Sequence, residues 1–242
     1  YNAGLRGEGQ TVALFELDTF QASDLAAYAS CFGHSHTSIQ TVVINGQPVP
    51  SDSGIVEVQL DAELVLSTAP NLGTLVIYEA GNDTTDYNAE WAQILQDVPP
   101  VVSTSWGLCE EDFGQAQVNQ ENSYFQLAAA QGQSIFVASG DSGSSGCFND
   151  GTSNANHLEP GDPGEQPFIT SVGGTHLSLN GSTYSETTWN NPSSQNPSGA
   201  SGGGLSLYLP MPSWQSQFSV PGVQNSYSNG NREAPDVVLS AD

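Results

Sequence analysis

The chain has 242 residues, 37% of them hydrophobic, and sets 26 acidic residues against two arginines, Arg6 and Arg232, for a formal net charge of −24. Phosphate binding needs clustered Lys and Arg, so this balance excludes a nucleic-acid partner. No apolar run approaches the ~18 residues a membrane-spanning helix needs.

The length suits one large α/β domain or two small ones, and the reading adopted is one domain. Opening on Tyr1-Asn2 without a signal segment, it looks like a mature or processed product. Only 12% of residues are charged, the polar surface coming from Ser, Asn, Gln, Thr and Gly. Full protonation would leave a charge of only about +7 and at most two Arg ion pairs to lose, so the chain is built to stay folded in acid. Three cysteines, Cys31, Cys109 and Cys147, leave one odd. Two sequons, Asn82-Asp83-Thr84 and Asn180-Gly181-Ser182, carry little information.

In chain order, "TVALFEL" (11–17) is a strand and the following helix has Ser23 as N-cap and Gly33 as stop. "QTVVI" (40–44) is a strand and 56–68 a helix. "TLVIYEA" (74–80) is a strand, and 87–97 is a helix closed by Pro99-Pro100. "VVSTSW" (101–106) is a strand, and 116–132 a helix capped by Gly132. "SIFVAS" (134–139) and "FITSVGGTHL" (168–177) are strands, while 180–204, rich in Ser, Asn, Pro and Gly, is an exposed loop region. Buried strands alternating with helices predict βαβ units and a mostly parallel sheet with helices on both faces. Functional groups of such sheets gather beyond the carboxyl ends of the strands. Glu16, Ser105-Trp106-Gly107 and Asp141 all fall there.

"GDSG" (140–143) matches the tetrapeptide around the nucleophile of trypsin-like proteases. The α/β context, the Ser144-Ser145 that follows and the settings of His34, His36, His157 and His176 argue against that chemistry, so Ser142 is not the nucleophile. Glu57 and Asp61 stand at i, i+4, their Cβ atoms about 5–6 Å apart on one helix face. Val56, Val58, Leu60, Leu64 and Val65 surround them, so burial on several sides is expected. A buried carboxyl pair shares a proton and can act as a general base at low pH, where histidine is protonated. A protonated Asp141 could donate to an oxyanion; ionised, it could bind a cation.

These pieces together resemble the sedolisins, or serine-carboxyl peptidases. The motifs run through the whole chain: "EVQLDAEL", "STSWG", "ASGDSG", "SVGGTHL", "TTWN", "SGGGLS", "LPMPSWQ" and "REAPDVVLSAD". The resemblance implies a subtilisin-like, three-layer α/β fold and a Ser-Glu-Asp triad. Glu57 would be the general base, Asp61 its partner and Asp141 the oxyanion-hole acid. Glu16 and Trp106 match positions that extend the network behind the base in some members, and Ser105 to Gly107 the segment that pairs with substrate backbone. A disulfide between Cys109 and Cys147 is plausible, because they flank the two active-site loops.

The family nucleophile lies in a G-T-S-x-x-P motif beyond the last matching segment. The nearest triplet here, Gly151-Thr152-Ser153, sits too early and lacks the proline. The expected partners are therefore a C-terminal fragment carrying the serine, a prosegment before activation, and a peptide or protein substrate. Calcium is expected in the intact enzyme, with ligands outside this chain and no metal ligand within it. An acidic secreted or lysosome-like location follows, with a non-catalytic secreted binding domain or inactive fragment as the alternative.

Overall fold

The computed structural model describes residues 4–34, 36–148, 158–191, 199–217 and 228–241. His157 and the triplet 151–153 lie outside them. The chain forms two compact units, residues 1–106 with 127–135, and residues 107–126 with 136–242.

The first unit contains β1 (Thr11–Glu16), α1 (Ala22–Phe32), β2 (Ser38–Val43), α2 (Asp52–Thr68), β3 (Thr74–Glu79), α3 (Thr84–Asp97) and β4 (Val101–Thr104). Its strands are all parallel, in the order β2-β3-β1-β4. From Ala13 to Glu16, β1 is buried at every position, as a strand covered on both faces must be. Leu14, Leu75 and Ile77 pack on one face against Leu25 and Ala29 of α1 and Val58, Ala62 and Leu66 of α2. Phe15 stacks on Trp91 of α3 at 4.5 Å and meets Tyr87 edge-on at 5.0 Å. Alternation along one strand thus feeds two apolar layers.

Helix boundaries differ from the sequence reading where capping decides. The α1 N-cap is Gln21, and Ser23, already in the first turn, donates to Asp24 instead; Gly33 closes the helix at φ 78°. α2 begins four residues early because Ser51 accepts from the Gly54 N–H, and Asp83 starts α3 by accepting from Thr85 and Asp86. Asp18 ties this corner down by accepting from both the backbone and the hydroxyl of Ser51. A Cβ on Gly54 would lie 2.0 Å from Asp18 Oδ2. Gly54→Ala should therefore destabilise the protein by about 1–3 kcal/mol, read as a lowered urea midpoint at unchanged m-value.

The second unit includes β5 (Leu108–Cys109) and most of α4 (Glu110–Gln131), which is kinked at Gly114. Then come β6 (Ser134–Ala138), β7 (Gly161–Asp162), β8 (Thr170–Asn180), β9 (Thr183–Thr188), β10 (Gly204–Pro210), the short α5 (Ser213–Ser216), β11 (Asn231–Ala234) and β12 (Val237–Ser240). β8 pairs in parallel with β6 and β12 and carries β9 antiparallel at its far end. β10 and β11 form an antiparallel pair. The expected loop over 180–204 is thus a hairpin as far as Thr188. β9 is exposed at every position, so its strand signal is cross-strand pairing and not apolar alternation. Among the described residues no helix is long and apolar enough to cross a membrane.

Candidate active site

β1 and β4 stay paired only as far as Leu14 opposite Ser103. Beyond that point the chain after β4 leaves the ladder, and Ser105 and Trp106 turn toward the carboxyl end of β1. The Trp106 indole N–H donates to Glu16 Oε2 at 2.7 Å. The Ser105 hydroxyl reaches both oxygens of Asp61, at 3.1 and 2.9 Å. Five of the predicted residues, Glu16, Glu57, Asp61, Ser105 and Trp106, therefore gather in the first unit.

Glu57 and Asp61 are half-buried, not enclosed as the apolar neighbours suggested. α2 buries only the Gly54, Val58, Ala62 and Leu66 stripe, and Val56, Leu60 and Leu64 are 64%, 48% and 53% exposed. A helix buries one stripe at this spacing, so an apolar residue on another face shields nothing. Burial and the neighbouring Glu57 charge still outweigh the Ser105 hydrogen bonds, and the Asp61 carboxyl is pushed up to about 6. Glu16, fully buried, rises well above the usual carboxylate range, first through burial and then through the charge of Asp61. A cleft of about 570 Å³, lined by Asp18, Gln47, Ser51, Asp83, Asp86 and Trp106 among others, opens beside this cluster.

Asp141 belongs to the second unit. Its loop is clamped by the 199–202 segment, with Gly199 and Ala200 N–H groups donating to the Asp141 carbonyl at 2.8 and 3.0 Å. Gly202 makes the clamp possible, since a Cβ there would fall 1.8 Å from the Ser139 carbonyl oxygen. The carboxyl itself stands at an exposed position, yet desolvation by the surrounding loop raises it. Ser142, Phe148 and Trp189 help to line a neighbouring cleft of about 510 Å³. Gly107 is pinned near Asp162, whose carbonyl oxygen a Cβ would meet at 2.6 Å. Cys109 and Cys147 form a disulfide, against which the buried Glu159 carboxyl rests, and Cys31 is an exposed free thiol.

No protein-family model matches the chain. Kumamolisin of Bacillus sp. (strain MN-32) is 34% identical over 248 residues, covering 99% of this chain and 43% of that protein. Tripeptidyl-peptidase 1 of Canis lupus familiaris is 30% identical, with the same two coverages. The solved structure of Pseudomonas sedolisin, a serine-carboxyl proteinase complexed with two molecules of pseudo-iodotyrostatin, is 30% identical. It superimposes with a TM-score of 0.86 over all of this chain and 68% of that one.

The chain belongs to the sedolisin family. Its fold class is accordingly the sedolisin one, a mostly parallel, subtilisin-like α/β sheet flanked by helices. The chain spans 43% of the length of the relatives kumamolisin and tripeptidyl-peptidase 1. Among its described residues, the group spaced to hold an ion is Cys109, Cys147 and Glu159. Two disulfide sulfurs and one carboxylate do not fit calcium, which takes six to eight oxygens.

Three features of this candidate site escaped the sequence reading. The Ser105 hydroxyl serves Asp61 directly, a contact that needs the chain to turn after β4. The Asp18–Ser51 anchor depends on a close approach at Gly54. Glu90 is fully buried behind Glu16, and it did leave a signal: in "DYNAEWAQIL" it interrupts the apolar stripe of Tyr87, Trp91 and Ile94.

Proposed function

We propose that the chain is the N-terminal part of the catalytic domain of an acid-active serine-carboxyl peptidase, hydrolysing peptide bonds through a Ser-Glu-Asp triad whose serine lies beyond Asp242. The observation that carries this reading is the Asp61 carboxyl, pushed up to about 6 beside Glu57 and held by Ser105, in a chain of the sedolisin family. Glu57 takes the proton of the serine hydroxyl, and Asp61 holds Glu57 through a shared proton. Asp141, protonated in acid, donates to the oxyanion of the tetrahedral intermediate. Glu16 and Trp106 support the base from behind, while the backbone of Ser105 and Gly107 pairs with the substrate strand. The expected partners are the C-terminal portion carrying the serine, a prosegment before activation, and peptide substrates. Calcium belongs to that C-terminal portion, and the setting is an acidic extracellular or lysosomal one.

The full-length protein should cleave peptides best at about pH 3–5, with Glu57→Gln lowering kcat by roughly a hundredfold to ten-thousandfold. An optimum near neutral pH, or a Gln variant with full activity, would overturn the proposal.

A further inference from the structure

The Phe15 carbonyl accepts from the Thr104 hydroxyl on the β4 side, so the N–H of Glu16, in the same peptide, faces away from β4 at the end of β1. Glu90, on the inner face of α3, brings a side-chain acceptor to it. Its Oε1 receives the Glu16 N–H at 2.9 Å, although the side chain is fully buried. Its Oε2 has no partner, and neither has Oε1 of Glu16. The titratable groups facing Glu90 are all acids: Glu16 on β1, Tyr78 and Glu79 on β3, and Asp86 on its own helix. Phe15 and Trp91, its immediate neighbours in sequence or across β1, stack on each other.

An apolar residue would fill this core position at no electrostatic cost, whereas a buried charge costs several kcal/mol. A carboxyl is tolerable here in its neutral form, with the proton on the unpartnered oxygen and the carbonyl oxygen accepting the backbone N–H. The same holds for Glu16, whose Oε2 is committed to Trp106 and whose Oε1 is free to carry a proton.

We propose that Glu90 is a positioning residue of this site: from inside the molecule it holds the carboxyl end of β1, and with it the Glu16 carboxyl that accepts from the Trp106 indole. This inference rests on the peptidase reading for its activity arm only. Burial raises both carboxyls well above their usual range, which agrees with a neutral pair at acid pH.

The test compares Glu90→Gln, which keeps an oxygen acceptor and cannot ionise, with Glu90→Leu, which fills the volume and removes the acceptor. In the full-length protein, Glu90→Leu should lower kcat by about tenfold to a hundredfold while KM stays within about twofold, and Glu90→Gln should restore kcat to near the parent value. Independently of any activity, the Trp106 fluorescence titration, taken as the difference from a Trp106→Phe background, reports the ionisation of Glu16. That transition should lie well above the ordinary carboxylate range in the parent and move toward it in Glu90→Leu. Unchanged kcat and an unchanged Trp106 titration in Glu90→Leu, with only a lower melting temperature, would reduce Glu90 to packing and overturn the proposal. An equal loss of kcat in both variants would overturn it too. A parent protein that cleaves no peptide would sink the peptidase reading alone, and the fluorescence arm would still decide on Glu90.

Discussion

Raising the pH from about 4 to about 7 should lower the melting temperature of this protein by roughly 10–20 °C. The cause is a set of carboxyls buried with too few cations. In the second unit Glu110, Glu121, Asp162 and Glu165 are all fully buried. Glu121 and Asp162 face each other, with Gln117 donating to the first and Gln166 to the second. Both oxygens of Glu165 lack a partner, and the cation that reaches it is Arg232, already bonded to Asp236 at 2.6 Å. Glu110 accepts from Ser206 and the Leu207 N–H, yet burial pushes it up to about 6. Tyr208 feels the charges of Glu110, Glu111 and Glu159.

Each of these carboxyls titrates higher in the folded chain than in the unfolded one, mainly through desolvation. Above the unfolded value of about 4, the native state therefore binds more protons than the unfolded state. Stability is fully present below that value and falls as pH rises through the folded values, which for Glu110 and Asp61 means near 6. A one-unit shift corresponds to about 1.4 kcal/mol, so several groups together reach a good part of a total stability of about 5–15 kcal/mol. Calorimetry across this range checks the result, and a melting temperature that climbs toward neutrality would sink it. Glu165→Gln, which cannot ionise, should flatten the decline.

Asp141→Ala in the full-length protein should reduce kcat by about a hundredfold to a thousandfold, the usual cost of removing an oxyanion donor, which is the role proposed for Asp141. Asp141→Asn should lose far less and should hold its activity to higher pH than the parent. The reason is protonation: an aspartate donates only while it keeps its proton, whereas an amide N–H donates at every pH. Desolvation raises the Asp141 carboxyl, so the donor proposed here keeps its proton in acid and loses it as pH climbs. Steady-state pH profiles of the three proteins decide the matter. If Asn lost activity as severely as Ala at every pH, Asp141 would have to act otherwise than as a donor.

Much of this was legible in the sequence because its signals are local. The i, i+4 spacing of Glu57 and Asp61 places both on one helix face whatever surrounds them, and the apolar runs at 11–17 and 74–80, alternating with helices, read as buried parallel strands. The acid bias followed from counting charges alone. The folded arrangement decided what depends on the third dimension. How far α2 shields its acidic pair depends on which stripe the helix buries, and the stripe proved to be Gly54, Val58, Ala62 and Leu66. That Ser105 bonds Asp61 and Trp106 bonds Glu16 depends on where β4 leaves β1. Glu90, Glu121 and Glu165 read as ordinary acidic residues until packing removes their water. A residue's type and spacing set its chemistry, but its protonation is set by neighbours that the fold brings from far along the chain.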